Sequence, residues 1–147
     1  MYEHLLVPVD GSELSDRAMN SSINLAHKLG ARITGFIVEP FAPPPASIGE
    51  GYQYRRVVRQ HDSVVEAHAG KVLERFEELA RAKGVAFTRH STQSTDIDAA
   101  IVEAATQHQC DLIIIATHGR STIGELLWGS HTKSLMALTK LPLLVLH

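Results

Sequence analysis

The sequence lacks three features: paired cysteines, an excess of positive charge and long apolar runs. Cys110 is the single cysteine, so no intramolecular disulfide can form, and we expect a buried, unreactive thiol in a reducing compartment. The 14 basic and 16 acidic side chains give a formal net charge of −2, which does not provide the positive surface typical of nucleic-acid-binding domains. No apolar run approaches the roughly 18 residues of a membrane-spanning helix, and the first residues do not resemble a signal peptide. We therefore expect a cytoplasmic protein that has neither nucleic acid nor membrane among its partners.

Catalytic and metal-binding patterns are also missing from the sequence. No Gly-Lys-Ser or Gly-Lys-Thr loop follows the first predicted strand, which argues against a Walker A nucleoside triphosphatase. His118 and His131 have no serine or aspartate partner that spacing identifies. The seven-residue separation of His61 and His68 is not a usual metal-ligand spacing, so both are expected to pack on the apolar face of a helix. We expect no catalytic residues and no metal ligands, and hence a protein that is not an enzyme.

Strand and helix patterns alternate along the chain. Runs rich in β-branched residues predict strands, and apolar residues at three-and-four spacing predict helices. The predicted strands are Leu5–Val9, Ile33–Val38, Val85–Arg89, Leu112–Ile115 and Leu143–Leu146. The first predicted helix begins at Ser12 or Ser15 and stops at Gly30, and the second runs from Val57 to Ala80. The third helix begins at a capping box formed by Thr95 and Asp98 and reaches Ala105. The fourth helix runs from His131 to Lys140. Prolines and glycines between residues 40 and 54 predict a long loop.

Strands that are joined by helices require right-handed parallel crossovers, and this requirement fixes the expected fold. We predict one α/β domain over residues 1–147, with a doubly wound, five-stranded parallel sheet in the order 3-2-1-4-5, Rossmann-like, and helices on both faces. In that order the winding direction reverses between strands 1 and 4, and ligands bind at the carboxyl ends beside such a switch. The Asp10-Gly11-Ser12 turn and the segment that starts at Ala116 are therefore expected to lie side by side at a ligand site.

The segment from Asp111 to Ser130 has the pattern of a buried strand that leads into a phosphate-binding loop. Gly119 is followed by nine residues and then by Gly129 and Ser130, an interval longer than a simple strand-to-helix turn requires. The glycines allow positive φ and close approach to an anion, and Ser130 is suited to cap a helix that starts at His131. Backbone N–H groups at such a helix start favour phosphate. The alternative interpretation, a helix stop followed by an N-cap without a ligand, is left open.

Five segments spread over the chain are together specific, although each alone is not. They are Val7-Pro8-Val9-Asp10-Gly11-Ser12, Gly35-Phe36-Ile37-Val38, Thr117-His118-Gly119-Arg120, Leu126-Leu127-Trp128-Gly129-Ser130 and Leu141-Pro142-Leu143-Leu144-Val145-Leu146. With them, essentially the whole chain resembles the universal stress protein family. Nucleotide-binding members carry a glycine, two residues, a second glycine, nine residues, a third glycine and then serine or threonine. This chain matches that motif at Gly119, Gly129 and Ser130, whereas Ala116 occupies the position of the first glycine.

The resemblance implies that the protein binds ATP or another adenine nucleotide. It implies that the Asp10 carboxylate contacts the ribose, that the Val38 backbone reads the adenine edge, and that residues around the motif glycines surround the phosphates. Mg²⁺ or Mn²⁺ would be held through those phosphates. The implied nucleotide-binding residues are Pro8, Asp10, Val38, Ala116, Thr117, His118, Gly119, Arg120, Ser121, Thr122, Gly129, Ser130, His131 and Thr132.

The resemblance also implies a biological role and an assembly. We expect a nucleotide-responsive regulatory module of the stress response, a homodimer formed through Leu143–His147 and a protein partner of unknown identity, with slow ATP hydrolysis left open. The alternative is a stress protein that binds no nucleotide and acts through protein contacts. Ala116 keeps this alternative open, because its methyl group is tolerated beside a ligand only if the local φ is negative.

Overall fold

The elements of the chain alternate between strand and helix, as the sequence predicts. The computed structural model describes residues 1–45, 51–116 and 125–147, and of residues 125–130 the backbone alone. The strands in this part of the chain are β1 (His4–Pro8), β2 (Arg32–Glu39), β3 (Phe87–Gln93), β4 (Leu112–Ala116) and β5 (Leu143–Leu146). The helices are α1 (Glu13–Leu29), α2 (Tyr52–Ala82), α3 (Ile97–Gln107) and α4 (Glu125–Leu138).

The strands form one parallel sheet in the order β3-β2-β1-β4-β5. Leu5 pairs with Ile33 on one side and with Leu112 on the other, so β1 lies at the centre of the sheet. The predicted strand order is therefore confirmed. Because β1 and β4 are neighbours and run in the same direction, their carboxyl ends meet at the point where the winding direction reverses.

Both faces of the sheet are covered by helices, which confirms the doubly wound arrangement. Successive strand residues point to opposite faces, so Leu5 and Leu6 enter different halves of the core. One half includes Leu5, Ile33 and Ile114 together with Met19, Ile23, Leu73 and Phe76 of α1 and α2. The other half includes Leu6, Phe36 and Ile113 together with Ile101 of α3 and Leu135 of α4. The near-continuous apolar sequence of β4 reflects this burial on two faces.

The ends of α1 follow the predicted signals closely. Ser12 is the N-cap, and its hydroxyl accepts a hydrogen bond from the Ser15 N–H at 3.3 Å. Gly30 ends the helix with φ of 67°, in the left-handed region that glycine adopts at low cost. The helix therefore starts immediately after the Asp10-Gly11-Ser12 turn and fixes the position of that turn at the end of β1.

Two predicted helix caps are wrong. Asp96 caps α3 in place of Thr95, because its carboxylate accepts the Ala99 N–H at 3.0 Å while Ser94 holds the Asp96 N–H. The cap predicted at Ser130 is also wrong, since α4 begins at Glu125. Leucine and glutamate favour helix, and a single glycine inside a helix costs only about 1 kcal/mol, so Gly129 does not separate loop from helix.

Two further boundaries differ from the predicted ones. The helix α2 begins at Tyr52, within the segment predicted as loop, and runs to Ala82. The third strand spans Phe87–Gln93 and does not start at Val85, which is buried just before it. The side chains of Arg89, His90 and Thr92 make β3 the more polar edge of the sheet, where alternation is a weak guide to strand ends.

Candidate functional site

A pocket of about 150 Å³ lies at the carboxyl ends of β1, β2 and β4. Five of the residues predicted as nucleotide-binding line it, namely Pro8, Asp10, Val38, Ala116 and His131. The structure thus brings together residues that are separated by more than a hundred positions in the chain. It does so at the switch point between β1 and β4, where a doubly wound sheet usually holds its ligand.

The inner surface of the pocket is mostly apolar. Val38, Ile101, Ile115 and Leu135 come from the second half of the core, and Leu14 and Ala18 of α1 come from a small apolar cluster that also includes Ala116. The polar side chains of the lining come from the turn after β1, from the first turn of α1 and from the helices α3 and α4. Such a cavity, apolar with a few placed polar groups, suits a flat apolar ring that carries a polar substituent.

The Asp10 carboxylate is fixed by the first turn of α1. Its Oδ1 accepts hydrogen bonds from the Ser12 N–H at 2.9 Å and from the Ser15 hydroxyl at 2.6 Å. The Asp10 N–H in turn donates to the Ser15 hydroxyl at 2.8 Å. Burial raises the pKa of Asp10, but the hydrogen bonds from Ser12 and Ser15 outweigh burial and hold its pKa below the ordinary value. The pocket therefore contains a preorganised, ionised acceptor for hydroxyl groups.

Gly11 is required by both the conformation and the crowding of the turn. Its φ of +83° lies in the left-handed region, and a Cβ atom there would lie 2.9 Å from Val72 Cγ2 and 3.0 Å from His68 Nε2. The His68 Nδ1 atom is 2.7 Å from Glu39 Oε1 at the end of β2. His68 therefore connects the turn after β1 with the end of β2, and it is half exposed where the sequence predicted packing on an apolar face.

The Val38 backbone points toward the pocket side of β2. In a parallel strand the polar backbone groups of alternate residues point to opposite neighbours. The Phe36 carbonyl accepts the Val9 N–H at 2.8 Å, whereas the Glu39 carbonyl faces β3 and accepts the Ser94 N–H at 3.1 Å. Val38 therefore directs its N–H and carbonyl to the β1 side, beyond the last β1 residue, Pro8. That orientation is the one needed to read the edge of a bound ring.

Ala116 has the backbone of an ordinary strand residue. It is the last residue of β4, pairs with Leu146 and packs against Leu14 and Ala18 with 9% of its surface exposed. Outside glycine, Gln109 is the one described residue with positive φ. The alanine methyl therefore occupies an apolar contact and causes no backbone strain at the motif position.

The pocket also contains an aspartate that the sequence analysis did not assign to the site. Asp98, in the first turn of α3, lines the pocket, and its Oδ1 is 2.7 Å from Nδ1 of His131 on α4. Sequence spacing identified no partner for His131, because the two residues are 33 positions apart and on different helices. The signal that could have found Asp98 is its place in the first turn of the helix that enters beside the switch point.

The remaining predicted residues are less directly placed. Thr117, His118, Gly119, Arg120, Ser121 and Thr122 lie outside the described residues, and only the backbone of Gly129 and Ser130, inside α4, is described. Thr132 is on α4 but is not among the described residues that line the pocket. Of the predicted phosphate-binding set, His131 is therefore the one member among the described residues that line the pocket, and its phosphate contact stays a prediction.

A second polar cluster lies near the amino ends of β1 and β4. His4 is buried, its Nε2 is 2.8 Å from Thr34 Oγ1, and its Nδ1 and the Nε2 of His108 have no hydrogen-bond partner among the described residues. The His90 and His108 rings meet edge to face with centroids 4.6 Å apart. Burial raises the pKa of the nearby Cys110 thiol to about 11, in agreement with the expected unreactive cysteine. This cluster contributes to the core at the end of the sheet opposite the pocket.

Two other kinds of feature are absent from residues 1–45, 51–116 and 125–147. In those ranges no three histidine, cysteine, aspartate or glutamate side chains are placed to hold a metal ion. None of the helices there is long and apolar enough to span a membrane.

Comparison with known proteins gives one consistent family. A model of the universal stress protein family matches residues 1–147. A universal stress protein from Thermus aquaticus is 27% identical over 150 residues, which cover 99% of this chain and 98% of that protein. Universal stress protein YxiE from Bacillus subtilis is 26% identical over 148 residues, which cover 99% of each.

Solved structures share the fold of this chain. Universal stress protein UspA from Lactobacillus plantarum superposes with a TM-score of 0.81 at 20% identity, covering 99% of this chain and 98% of that one. A universal stress protein in complex with cAMP gives a TM-score of 0.70 at 22% identity, with coverage of 99% and 97%. A universal stress protein from Archaeoglobus fulgidus in complex with dAMP gives 0.60 at 14% identity, with coverage of 99% and 98%.

Proposed function

This chain belongs to the universal stress protein family, and we propose that it binds an adenine nucleotide, ATP or a related one, in the pocket at the carboxyl ends of β1 and β4. The observation that carries the proposal is the convergence of Asp10, Val38 and Ala116 on one apolar pocket at the switch point. Two proteins with the same fold have been solved with cAMP and with dAMP, which supports an adenine nucleotide as the ligand class.

In the proposed complex, each side of the pocket contacts a different part of the nucleotide. The apolar wall suits the adenine ring, the Val38 backbone is oriented to meet its polar edge, and Asp10 accepts hydrogen bonds from the ribose hydroxyls. The pocket volume of about 150 Å³ is below the roughly 300 Å³ at which complete small-molecule sites begin, so it accounts for the nucleoside. The phosphates would then extend toward Gly119 to Thr122 and the Gly129-Ser130 segment, with Mg²⁺ or Mn²⁺ held by phosphate oxygens.

The role that follows is regulatory. The Ser15 hydroxyl in the pocket is engaged with Asp10, because it donates to the carboxylate and accepts the Asp10 N–H. We propose a cytoplasmic, nucleotide-responsive module of the stress response that is not an enzyme and hydrolyses ATP slowly if at all. We further propose a homodimer through Leu143–His147. The strand β5 is an edge of the sheet, and Leu144 exposes 36% of its surface, an arrangement that a second copy would protect.

A second candidate function is a stress protein that acts through protein contacts without a nucleotide. The departure at Ala116 favours it, because nucleotide-binding relatives have glycine at that position. The negative φ of Ala116 and its apolar contacts weigh against it, since the methyl group needs no change in the backbone.

The test is to identify the ligand and then to remove one contact. Mass spectrometry of the small molecule released by denaturing the purified protein should find an adenine nucleotide. Titration calorimetry should then show that Asp10→Asn lowers affinity for that nucleotide by about tenfold or more, the value of a hydrogen bond to a charged group. The matched control Glu74→Gln removes an exposed carboxylate on α2, outside the pocket lining, and should leave the affinity unchanged.

The motif glycine gives an independent test. Gly129→Val should weaken ATP binding, because the phosphate contacts proposed for that segment require close approach of the backbone. Wild-type affinity in both Asp10→Asn and Gly129→Val, or no binding of any adenine nucleotide at millimolar concentration, would rule out the proposed site.

A further inference from the structure

The polar pair Asp98–His131 stands in the otherwise apolar wall that α3 and α4 contribute to the pocket. The Asp98 Oδ1 and His131 Nδ1 atoms are 2.7 Å apart, and the two side chains are 13% and 28% exposed. Both residues line the pocket. A partly buried carboxylate loses hydration, and its pairing with an imidazole offsets that cost. The pair therefore adds a fixed polar group to the pocket, beside the one that Asp10 provides.

The charges around the pocket make this imidazole unusual. Among the described residues that line the pocket there is no lysine or arginine, and the two carboxylates are Asp10 and Asp98. His131 is therefore the one lining side chain in this part of the chain that can become positively charged. Its contact on α3 is Asp98, and the other carboxylate of the described lining is Asp10 from the turn after β1. Within this described part of the lining, the side-chain charge is net negative unless His131 is protonated.

The bond to Asp98 determines how the ring can respond. A carboxylate on Nδ1 makes that nitrogen the hydrogen-bond donor and fixes the orientation of the ring. When the ring takes up a proton, the same bond becomes charge-assisted on both sides and strengthens. Asp98 thus holds the ring in one orientation.

We propose that His131 is a specificity-determining residue that takes up a proton when a phosphate-bearing nucleotide binds, and that Asp98 is its positioning residue. The proton comes from the buffer and adds to the imidazole lone pair, with no other change to the chain or the ligand. The inference rests on the proposed nucleotide site, in which His131 directly follows the Gly129-Ser130 segment assigned to the phosphates. It adds to that function a preference for nucleotides over nucleosides, based on charge.

The experiment compares AMP with adenosine by titration calorimetry in phosphate-free buffers of different ionisation enthalpy at one pH. The dependence of the binding enthalpy on the buffer measures proton uptake. His131→Gln should lower AMP affinity by about tenfold or more while adenosine affinity changes by less than about threefold. It should also remove proton uptake that wild type shows with AMP. The difference in proton uptake between the two proteins gives the net change that depends on His131, including any change that the imidazole induces in the AMP phosphate.

Asp98→Asn tests the positioning role separately. The amide oxygen can still accept from Nδ1, but the negative charge is lost, so proton uptake on AMP binding should decrease while adenosine binding is retained. The control His27→Gln replaces an exposed histidine in the last turn of α1 and should change neither ligand. Circular dichroism of each variant checks that it is folded.

The outcomes distinguish this inference from the function on which it rests. Equal losses of AMP and adenosine affinity in His131→Gln, or wild-type proton uptake in that variant, would show a merely structural pair and overturn the inference alone. Failure of the folded wild type to bind either ligand would overturn both proposals.

Discussion

Replacing Gly11 with alanine should be the most informative single change in the turn that carries Asp10. Two independent costs act at this position. The first is the left-handed backbone, φ +83°, which costs an L residue roughly 1–2 kcal/mol. The second is crowding, because the new Cβ would lie 2.9 Å from Val72 Cγ2 and 3.0 Å from His68 Nε2. Overpacking of this kind costs about 1–3 kcal/mol.

The two costs sum to about 2–5 kcal/mol, and the smaller backbone entropy of unfolded alanine returns up to about 1 kcal/mol of it. The net cost is then about 1–5 kcal/mol. For a chain of this size each kcal/mol lowers the melting temperature by about 2–4 °C, so Gly11→Ala should melt roughly 2–20 °C below wild type. The affinity for the nucleotide should fall as well. The Cβ would push the turn away from His68 and Val72, and the turn positions the Asp10 carboxylate.

Gly30→Ala is the matched control for this prediction. Gly30 also has positive φ, +67°, but a Cβ atom there would meet nothing within 4 Å, so this variant bears only the backbone cost of about 1–2 kcal/mol. Urea denaturation of both variants gives the free energies of unfolding. If Gly11→Ala is no less stable than Gly30→Ala, the packing of His68 and Val72 against the turn is not as the structure shows it.

Three further predictions follow from particular contacts. Ala116→Gly should change nucleotide affinity by less than about tenfold in calorimetry, because φ at this position is already negative; binding that appears only in the glycine variant would place the wild type in the non-binding class. Burial, with the charges of Arg32 and His108, lowers the pKa of His4, so the folded state binds its proton less readily than the unfolded state. The free energy of unfolding should therefore fall as the pH decreases below about 6.5. Urea denaturation at several pH values should show a smaller fall in His4→Gln than in wild type. If the free energy of unfolding depends on pH equally in both proteins, His4 is not neutral and buried. Leu144→Lys should convert a dimer into a monomer in light scattering at tens of micromolar, whereas a wild-type monomer or a dimeric variant would refute assembly through β5.

The fold was predictable because β4 and the first strand carry strong local signals and the topology has few solutions. The aliphatic run of Leu112–Ile115 requires burial on both faces, and only a parallel sheet covered by helices provides it. Right-handed crossovers then limit the possible strand orders. Helix caps were harder to predict. Asp96 and Thr95 are adjacent and both suited to capping, and the choice between them depends on the Ser94 contact, which spacing does not reveal.

The candidate site was predictable only where it follows from topology or family resemblance. Asp10 and Ala116 end neighbouring strands, so the strand order alone places them together. Asp98 meets His131 because α3 and α4 pack against each other, and a contact between two helices depends on rotation and side-chain packing. The His68–Glu39 contact was missed for the same reason, because it depends on how α2 crosses the end of β2. From the sequence, His68 was expected only to pack on an apolar helix face.

The polar groups of the pocket are each held by a different element before any ligand is present. Asp10 is fixed by Ser15 of α1, and the backbone of Val38 by its register with β3, whereas His131 is fixed by Asp98 of α3. A nucleotide that contacts all three would therefore connect helices on opposite faces of the sheet through one molecule. Because it would bind the folded state alone, it would stabilise the protein by about 2.7 kcal/mol at a hundred times its dissociation constant. Much of that stabilisation would oppose the separation of α1 from α4. Bound nucleotide would therefore make the elements at the carboxyl edge of the sheet more rigid.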